Sequence, residues 1–494
     1  MMKNKFITCA LPYSNGQPHI GHAFEFIIGD ALSRYFRQSG CDVFFNIGLD
    51  EHGLKIQQTA EKNGLSPQEY VDSLVGDWKI FIEKLGVSSW DNFYRTSDED
   101  HKFKVQKFWE DALNRGDIYK KEYSGTYCVG CESFKSDREL IDGKCPDHPT
   151  TELNEVEEEN YFFRLSKYKN ALSTWAYKAT EFIEPISKRA EFLNIIDNIQ
   201  DISVSRLKKD VYWATDVPGD EEHTVYVWCC ALLNYIFAAG HSSGFPVVFE
   251  SLWNGSEVIQ ICGPDNLKFQ SVIFQGILAS AGIKKSDKLL VHGTILDSKG
   301  KKMSKSEGNV VDPIEQVEKY GVSAVRYYAL AGLSTYGNSS WDENQLVELY
   351  NSHLADDFGN LVSRVTHLAD KILGERTGAA IIDYNYIGNI QYCKNFDKSI
   401  IKVKESWDNY KISEALSELN RLVKELNRYI TFEKPWEDLG GKSEVVFQIL
   451  YCLREINKLY YPVIPGKSEE VTKALVECRK AIVFPKLETK KEKV

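Results

Sequence analysis

The rhythm of apolar positions changes along the chain, and each change marks a different kind of element. Phe6-Ile7-Thr8-Cys9-Ala10-Leu11 is a short apolar run of the length of a buried strand. Pro12 to Pro18, with Asn15-Gly16 inside it, reads as a loop. From near His19, the residues Ala23, Phe24, Ile27, Ile28 and Leu32 recur at helical spacing, and Gly40 closes that helix. Val43-Phe44-Phe45-Asn46-Ile47-Gly48 is a second buried strand, so the chain opens as a parallel βαβ unit. Further strands are expected at Thr224–Trp228, Val258–Gly263 and Leu289–Gly293. Between them, Tyr119–Glu159 is rich in Cys, Gly and charge and shows little period, which marks an insertion splitting one α/β sheet. After Tyr336 no strand is expected for a long way. Leu354, Phe358, Leu361, Val362, Val365, Leu368, Ala369 and Ile372 keep a helical period, and more helices are expected over about 395–431 and 444–461. The C-terminal third therefore reads as a helical bundle.

Size and charge narrow this picture. A chain of 494 residues exceeds one core and implies roughly two to four domains. No apolar stretch reaches the roughly 18 residues of a membrane span, and Met1 to Ala10 lacks a signal-peptide core, so a cytosolic location is expected. A net charge of −11 argues against coating nucleic acid indiscriminately, but a local basic face suffices for specific contact. Such a face is suggested between Lys284 and Lys305, where lysines 284, 285, 288, 299, 301, 302 and 305 meet only Asp287 and Asp297. Eleven cysteines in a long cytosolic chain favour metal ligands and buried thiols over disulfides.

Candidate chemistry gathers at two motifs. Pro18-His19-Ile20-Gly21-His22 stands where the first strand hands over to the first helix, an edge at which ligands of open α/β sheets bind. His19 and His22 are i, i+3 and share a face, and Gly21 leaves its backbone open to a flat ring such as adenine. Far downstream, Lys301-Lys302-Met303-Ser304-Lys305-Ser306-Glu307-Gly308-Asn309 is a lysine loop after a Gly300 turn, suited to a leaving pyrophosphate. Each alone has a bland reading, as helix-cap histidines or a solvated basic loop.

Cys128-x₂-Cys131 and Cys145-x₂-His148 have the spacing of two zinc knuckles sharing one ion. A Cys₃His set leaves no open position, so a Zn²⁺ there is structural, one per chain, organising a segment too short for its own core. The other eight cysteines read as buried thiols.

His19-Ile20-Gly21-His22, a split sheet and Lys302-Met303-Ser304-Lys305-Ser306 together resemble the class I aminoacyl-tRNA synthetases over nearly the whole chain. Cys9-Ala10-Leu11-Pro12-Tyr13, Asp50-Glu51-His52-Gly53, Tyr226-Val227-Trp228 and the helical end are similar to their methionine-specific family. The resemblance implies an ATP-dependent ligase, working with Mg²⁺, that joins methionine to tRNA(Met), including the initiator. It implies catalytic roles for His19, His22, Lys302 and Lys305. ATP would be met by Gly21, Gly263, Asp265, His292, Gly293 and Lys305. Leu11, Tyr13, Trp228, Ala231, Tyr235 and Gln270 would surround methionine, with Asp50 on its ammonium. Asn360, Arg364 and Trp436 would read the CAU anticodon. The chain departs from the family at Cys230, where the Trp-x-Asp-Ala pattern has an acid, and at Gln270, where a histidine is expected.

The expected fold class is α/β: a Rossmann-like parallel-sheet catalytic domain split by a zinc-binding insertion, followed by an all-α anticodon-binding bundle. The expected divisions are 1–118 and 224–298 for the two catalytic halves, 119–223 for the connective insertion, 299–345 for a lysine-loop region contacting the tRNA stem, and 346–494 for the bundle. No extra tRNA-binding domain is expected after residue 494, so dimerisation through such an appendage is not implied and the reading is compatible with a monomer. The competing readings are a class I synthetase for another small apolar amino acid, a nucleotidyltransferase without tRNA, and a lapsed synthetase that only binds RNA. The short insertion opposes the first, the helical third and Trp436 the second, and the intact His19, His22, Lys302 and Lys305 the last.

Overall fold

The computed structural model describes residues 4–128, 133–135, 140–146, 152–242, 244, 246–303, 308–373, 387–388, 390–479 and 481–488. The chain divides into two compact units. The first comprises Met1–Gln17, Phe44–Lys79 and Trp90–Val291; the second comprises Pro18–Val43, Ile80–Ser89 and His292–Val494.

The first unit is built on a six-stranded sheet. Its strands are β1 (Lys5–Cys9), β2 (Val43–Leu49), β3 (Asn92–Arg95), β4 (Ile183–Glu184), β5 (Glu257–Cys262) and β6 (Lys288–Val291), in the order β3-β2-β1-β5-β6-β4. β1 runs parallel to β5 from Lys5↔Glu257 to Cys9↔Ile261, and β5 runs parallel to β6. Every residue of β1 is buried, which is why it reads as an unbroken run rather than an alternation. Phe6 anchors the core, its ring 5.5 Å from Phe44 and 5.6 Å from Trp253. The inserted segment forms a separate sheet. Its strands Ile118–Cys128 and Leu153–Phe163 pair antiparallel from Ile118↔Phe163 to Cys128↔Leu153.

The strand expected at Thr224–Trp228 is corrected. Only His223–Val225 is paired as a strand, antiparallel with Ser205–Leu207 and outside the parallel sheet, and a helix begins at Val227 after the extended N-cap Tyr226. A short apolar run does not distinguish a strand from a buried helical turn, and here the helix puts Trp228 and Ala231 on one element.

The second unit holds α1 (Ile20–Gln38) together with the helices α2 (Asn360–Leu373), α3 (Gln391–Asp408), α4 (Ile412–Glu433), α5 (Ser443–Tyr460) and α6 (Pro465–Glu477). The helix expected across 395–431 is two, because Tyr410 takes a left-handed φ of 62° and turns the chain. A strand does follow Tyr336: Ser339–Ser340 pairs parallel with Ile295–Leu296, too short to leave a periodic signal.

Buried polar groups tie this unit together. Asn420 on α4 accepts from the hydroxyls of Tyr327 (3.0 Å) and Tyr460 (2.6 Å). Asp30 on α1 accepts from Arg326 Nη2 at 2.7 Å and Arg34 Nε at 2.8 Å through one oxygen, and from Ser88 N, Ser89 N and Ser89 Oγ through the other. Arg326 spends its remaining donors on the carbonyls of Leu85, Gly86, Pro462 and Val463. Tyr35 stacks on Trp407 at 5.0 Å and donates to Asp408 at 2.9 Å. The chemistry-bearing helix α1 is thus held along its C-terminal half by α3 and by the turn before α6. Among the described residues, no helix is long and apolar enough to cross a membrane.

Candidate active site

In the second unit, His19 is the N-cap of α1, in extended conformation. Its Nδ1 accepts from Gly21 N at 3.1 Å, and the Nδ1 of His22 accepts from His19 N at 3.3 Å. The two rings stack at 3.7 Å and 17°. Each Nδ1 is committed as an acceptor, so each neutral ring carries its proton on Nε2. The cap thereby fixes two N–H donors of known tautomer on the first turn of a helix. A side chain at Gly21 would meet the His19 ring at 3.0 Å, so the glycine accommodates the cap.

One turn further along α1, Glu25 Oε2 lies 3.1 Å from His292 Nε2, while His292 Nδ1 lies 2.8 Å from the Gly293 carbonyl. Its two ring nitrogens thus each face an oxygen, one a carbonyl and the other a carboxylate, which fixes the orientation of the ring. Phe24 packs edge-on against the same ring at 5.4 Å. Glu25 had no signal in the sequence beyond its place on α1, since its partner lies 267 positions away. Gly293 is glycine because a Cβ there would stand 1.9 Å from the Gly337 carbonyl oxygen.

The lysine loop is pinned at its base by Asp297, an acid that reads from sequence only as a minor offset to the lysines. Its Oδ1 accepts from Lys299 N (2.9 Å) and Lys301 N (2.8 Å), and its Oδ2 from Asn309 Nδ2 (2.9 Å). These bonds, that from Lys301 N foremost, hold its carboxyl below the usual range. Lys302 is exposed beyond a bridge to Leu296. Lys305 lies outside the described residues.

In the first unit, Tyr13 and Asp50 form a parallel bridge at the ends of β1 and β2, with Asp50 N on Pro12 O and Ser14 N on Asp50 O, each at 2.9 Å. The Asp50 carboxylate is buried and accepts from Thr96 Oγ1 at 3.2 Å. Its neighbour Glu51 is fully buried, paired with Arg95 at 2.9 Å and bonded by Ser97 at 2.6 Å. Burial outweighs these partners and raises its carboxyl pKa.

Trp228 and Ala231 lie on the helical turn Val227–Leu232 and Tyr235 on the next, Asn234–Ala238. Trp228 stacks on Phe269 at 4.1 Å and 12°. Tyr235 OH accepts from Gln270 Nε2 at 3.1 Å, Gln270 Oε1 from Gln260 at 3.0 Å, and Gln260 Oε1 from Gln275 at 3.1 Å. Gln270 therefore closes a satisfied chain of buried amides. Leu11 is half-buried, Gly263 is buried at the end of β5, and Asp265 is exposed on the turn after it.

Cys230 sits between two buried imidazoles, with His101 Nε2 at 3.2 Å and His52 Nδ1 at 3.8 Å. Burial drives the His101 pKa down to about 3 and the His52 pKa well below the ordinary histidine value. The thiol thus completes a neutral cluster.

In the insertion, Cys128 and Cys145 are both buried, although the residues between Ile141 and Lys144 are exposed. Cys131 and His148 lie outside the described residues, and among the described ones no group of three or more His, Cys, Asp or Glu is arranged to hold a metal ion. In the bundle, Asn360 and Arg364 are exposed on α2, and the Arg364 guanidinium stands over the Trp436 ring at 5.5 Å. Trp436 is 43% exposed, so it is not a core tryptophan.

Over residues 5–155 and 148–366 the chain matches the family described as tRNA synthetases class I (M), and over 392–493 the anticodon-binding domain of tRNA ligase. It is 37% identical over 486 residues to a methionine--tRNA ligase of Caldanaerobacter subterraneus subsp. tengcongensis, covering 96% of this chain and 74% of that one. A methionine--tRNA ligase of Fusobacterium nucleatum is 35% identical over 486 residues, with 96% and 75% covered. Among solved structures, the chain resembles Mycobacterium tuberculosis methionyl-tRNA synthetase in complex with methionyl-adenylate. The TM-score is 0.88 and the identity 29%, over 98% of this chain and 100% of the other.

Proposed function

The chain belongs to the methionine-specific family of class I tRNA synthetases, activating methionine with ATP and charging tRNA with it, and on that premise we propose which side chains do each part. The methionine carboxylate attacks the α-phosphorus of ATP, the bond to the bridging oxygen breaks, and pyrophosphate leaves; Mg²⁺ bound with ATP would offset the charge of the pyrophosphate. His19 and His22 donate from Nε2 to phosphate oxygens as charge builds there. Lys302 and Lys305 hold the departing pyrophosphate. For ATP, the second unit contributes Gly21, with His292 and Gly293 as residues for the base, and the first unit contributes Gly263, with Asp265 for the ribose hydroxyls. Asp50 receives the methionine ammonium, and Leu11, Tyr13, Trp228, Ala231, Tyr235 and Gln270 enclose the thioether. The acyl group then passes to the 2′-hydroxyl of the terminal adenosine of tRNA(Met), initiator included, without a covalent enzyme intermediate.

Asn360, Arg364 and Trp436 read the CAU anticodon by hydrogen bonding and stacking. Residues 119–223 serve as the connective insertion, 299–345 as the region meeting the tRNA stem, and 346–494 as the anticodon-binding domain. One Zn²⁺ fits Cys128, Cys131, Cys145 and His148. Two buried thiols, one of them Cys145 beside the exposed residues 141–144, in a segment too small for its own core suit a structural ion.

The observation that carries this reading is the reciprocal cap, since it occupies both Nδ1 atoms as acceptors and so sets the tautomer in which His19 and His22 donate from Nε2. His22→Asn tests it, because asparagine still accepts from a backbone N–H but offers no Nε2 donor. Methionine-dependent ATP–pyrophosphate exchange should lose about two decades in kcat, the scale of one oxyanion donor, while KM for methionine moves little. An unchanged kcat refutes the assignment. Faster exchange with any of the other nineteen amino acids refutes the pocket.

A further inference from the structure

Phe432 packs against almost nothing: it is 82% exposed in the last turn of α4. The buried stripe of that helix runs through Leu416, Leu419, Val423, Leu426 and Ile430, and Phe432 lies two positions past its last member, on the far side. Four residues before Phe432, on the same face, is the exposed Arg428. Two residues after it, Lys434 takes a left-handed φ of 47°, ends the helix and turns the chain into Pro435-Trp436. Trp436 in turn lies under the Arg364 guanidinium. Neither Arg364 nor Arg428 has an ion pair among the described residues.

We propose that Phe432 and Arg428 extend the RNA-reading face, Phe432 as a second stacking platform for a base of the anticodon loop and Arg428 as its phosphate contact. The inference rests on the anticodon role given to Trp436 above. At 82% Phe432 is the most exposed large apolar side chain among the described residues, and it stands four residues from the exposed Trp436. Flat rings flanked by guanidinium groups are what unstacked bases and their phosphates require. Continuity with Trp436 and Arg364 favours RNA over an apolar protein partner, which would leave both guanidinium groups facing an uncharged surface.

Charging of a tRNA(Met) transcript, relative to tRNA-free exchange by the same preparation, tests the proposal. Phe432→Ala should lower the charging-to-exchange ratio of kcat/KM by about ten- to a hundred-fold, and Phe432→Trp should retain it. Phe432→Leu should fall with the alanine variant, since an apolar side chain without a π-face cannot stack. Arg428→Gln should flatten the salt dependence of tRNA binding by about 0.7 in the log–log slope. If Trp436→Ala loses charging and Phe432→Ala does not, the inference fails and the reading of Trp436 stands. If neither loses charging, both fail. Charging retained in Phe432→Leu, or a change in self-association on replacing Phe432, would assign the face to an apolar protein contact and overturn the proposal.

Discussion

Arg326→Met isolates the heaviest electrostatic commitment in the second unit. Arg326 is 1% exposed and Asp30 0%, so water does not replace what either loses. The substitution keeps the side-chain length and removes the guanidinium. Asp30 keeps Arg34 and the Ser88 and Ser89 donors, but the carbonyls of Leu85, Pro462 and Val463 lose the donors that Arg326 gives them. Breaking a buried pair costs about 3–5 kcal/mol, and the orphaned carbonyls, at about 1–3 kcal/mol each, overlap with that figure rather than adding to it. With Arg34 still in place we expect about 3–5 kcal/mol. A unit of about 150–250 residues loses roughly 2–4 °C per kcal/mol, so calorimetry of the full chain at neutral pH should show one transition falling by about 6–20 °C.

The same ion pair fixes a pH signature. Burial opposes ionisation of Asp30, but Arg326 and Arg34 outweigh it and hold its pKa below the ordinary carboxylate value. A depressed folded-state pKa gives stability that is present above the unfolded value, about 3.9, and lost as pH falls through the folded one. The parent should therefore keep this contribution down to about pH 4 and lose it only below. Asp30→Leu/Arg326→Met should be less unstable than the sum of the two single variants, because the buried pair is removed together, although Arg34 and the Ser88 and Ser89 donors then lose Asp30. A shift below about 2 °C in the single variant, or a double variant as unstable as the sum of the singles, would refute the account.

Two further outcomes follow from the proposed site. Lys305→Ala should lower adenylate formation by about two decades with little change in methionine affinity, and unaltered pre-steady-state adenylate formation would dismiss it. Protein purified without chelators should carry about one Zn²⁺ per chain, and Cys145→Ser should lower that content and make residues 119–159 protease-sensitive; metal analysis finding no zinc rejects the knuckle.

Local features were legible in the sequence, and distant ones were not. The His19/His22 cap spans four residues, so its i, i+3 spacing alone forecast a shared face at a helix start. The strands β1, β2, β5 and β6 were legible because burial on both faces leaves continuous apolar runs. The same feature misled at Thr224–Trp228, where a run of β-prone residues is divided between a short strand and a buried helical turn. Glu25 with His292, and Asp30 with Arg326, pair across 267 and 296 positions. No periodicity carries such information. Phe432 was invisible for a different reason: pattern counts an aromatic residue as core until its exposure is seen.

The way α1 is held bears on how this protein can be dissected. It is tempting to regard the helical end as a detachable module and to cut near residue 345 for a minimal adenylating fragment. Such a cut would take Trp407 and Asp408 from Tyr35, and the Pro462 and Val463 carbonyls from Arg326. It would expose apolar rings along the back of the helix whose front carries His19 and His22, and leave a guanidinium buried for partners no longer encoded. Recombination between relatives meets the same obstacle: a bundle grafted from another chain must bring residues that accept Tyr35 and Arg326. The boundary useful to an engineer is therefore not the point where strands give way to helices. It is the set of contacts around α1, whose two sides are encoded hundreds of codons apart and must be exchanged together.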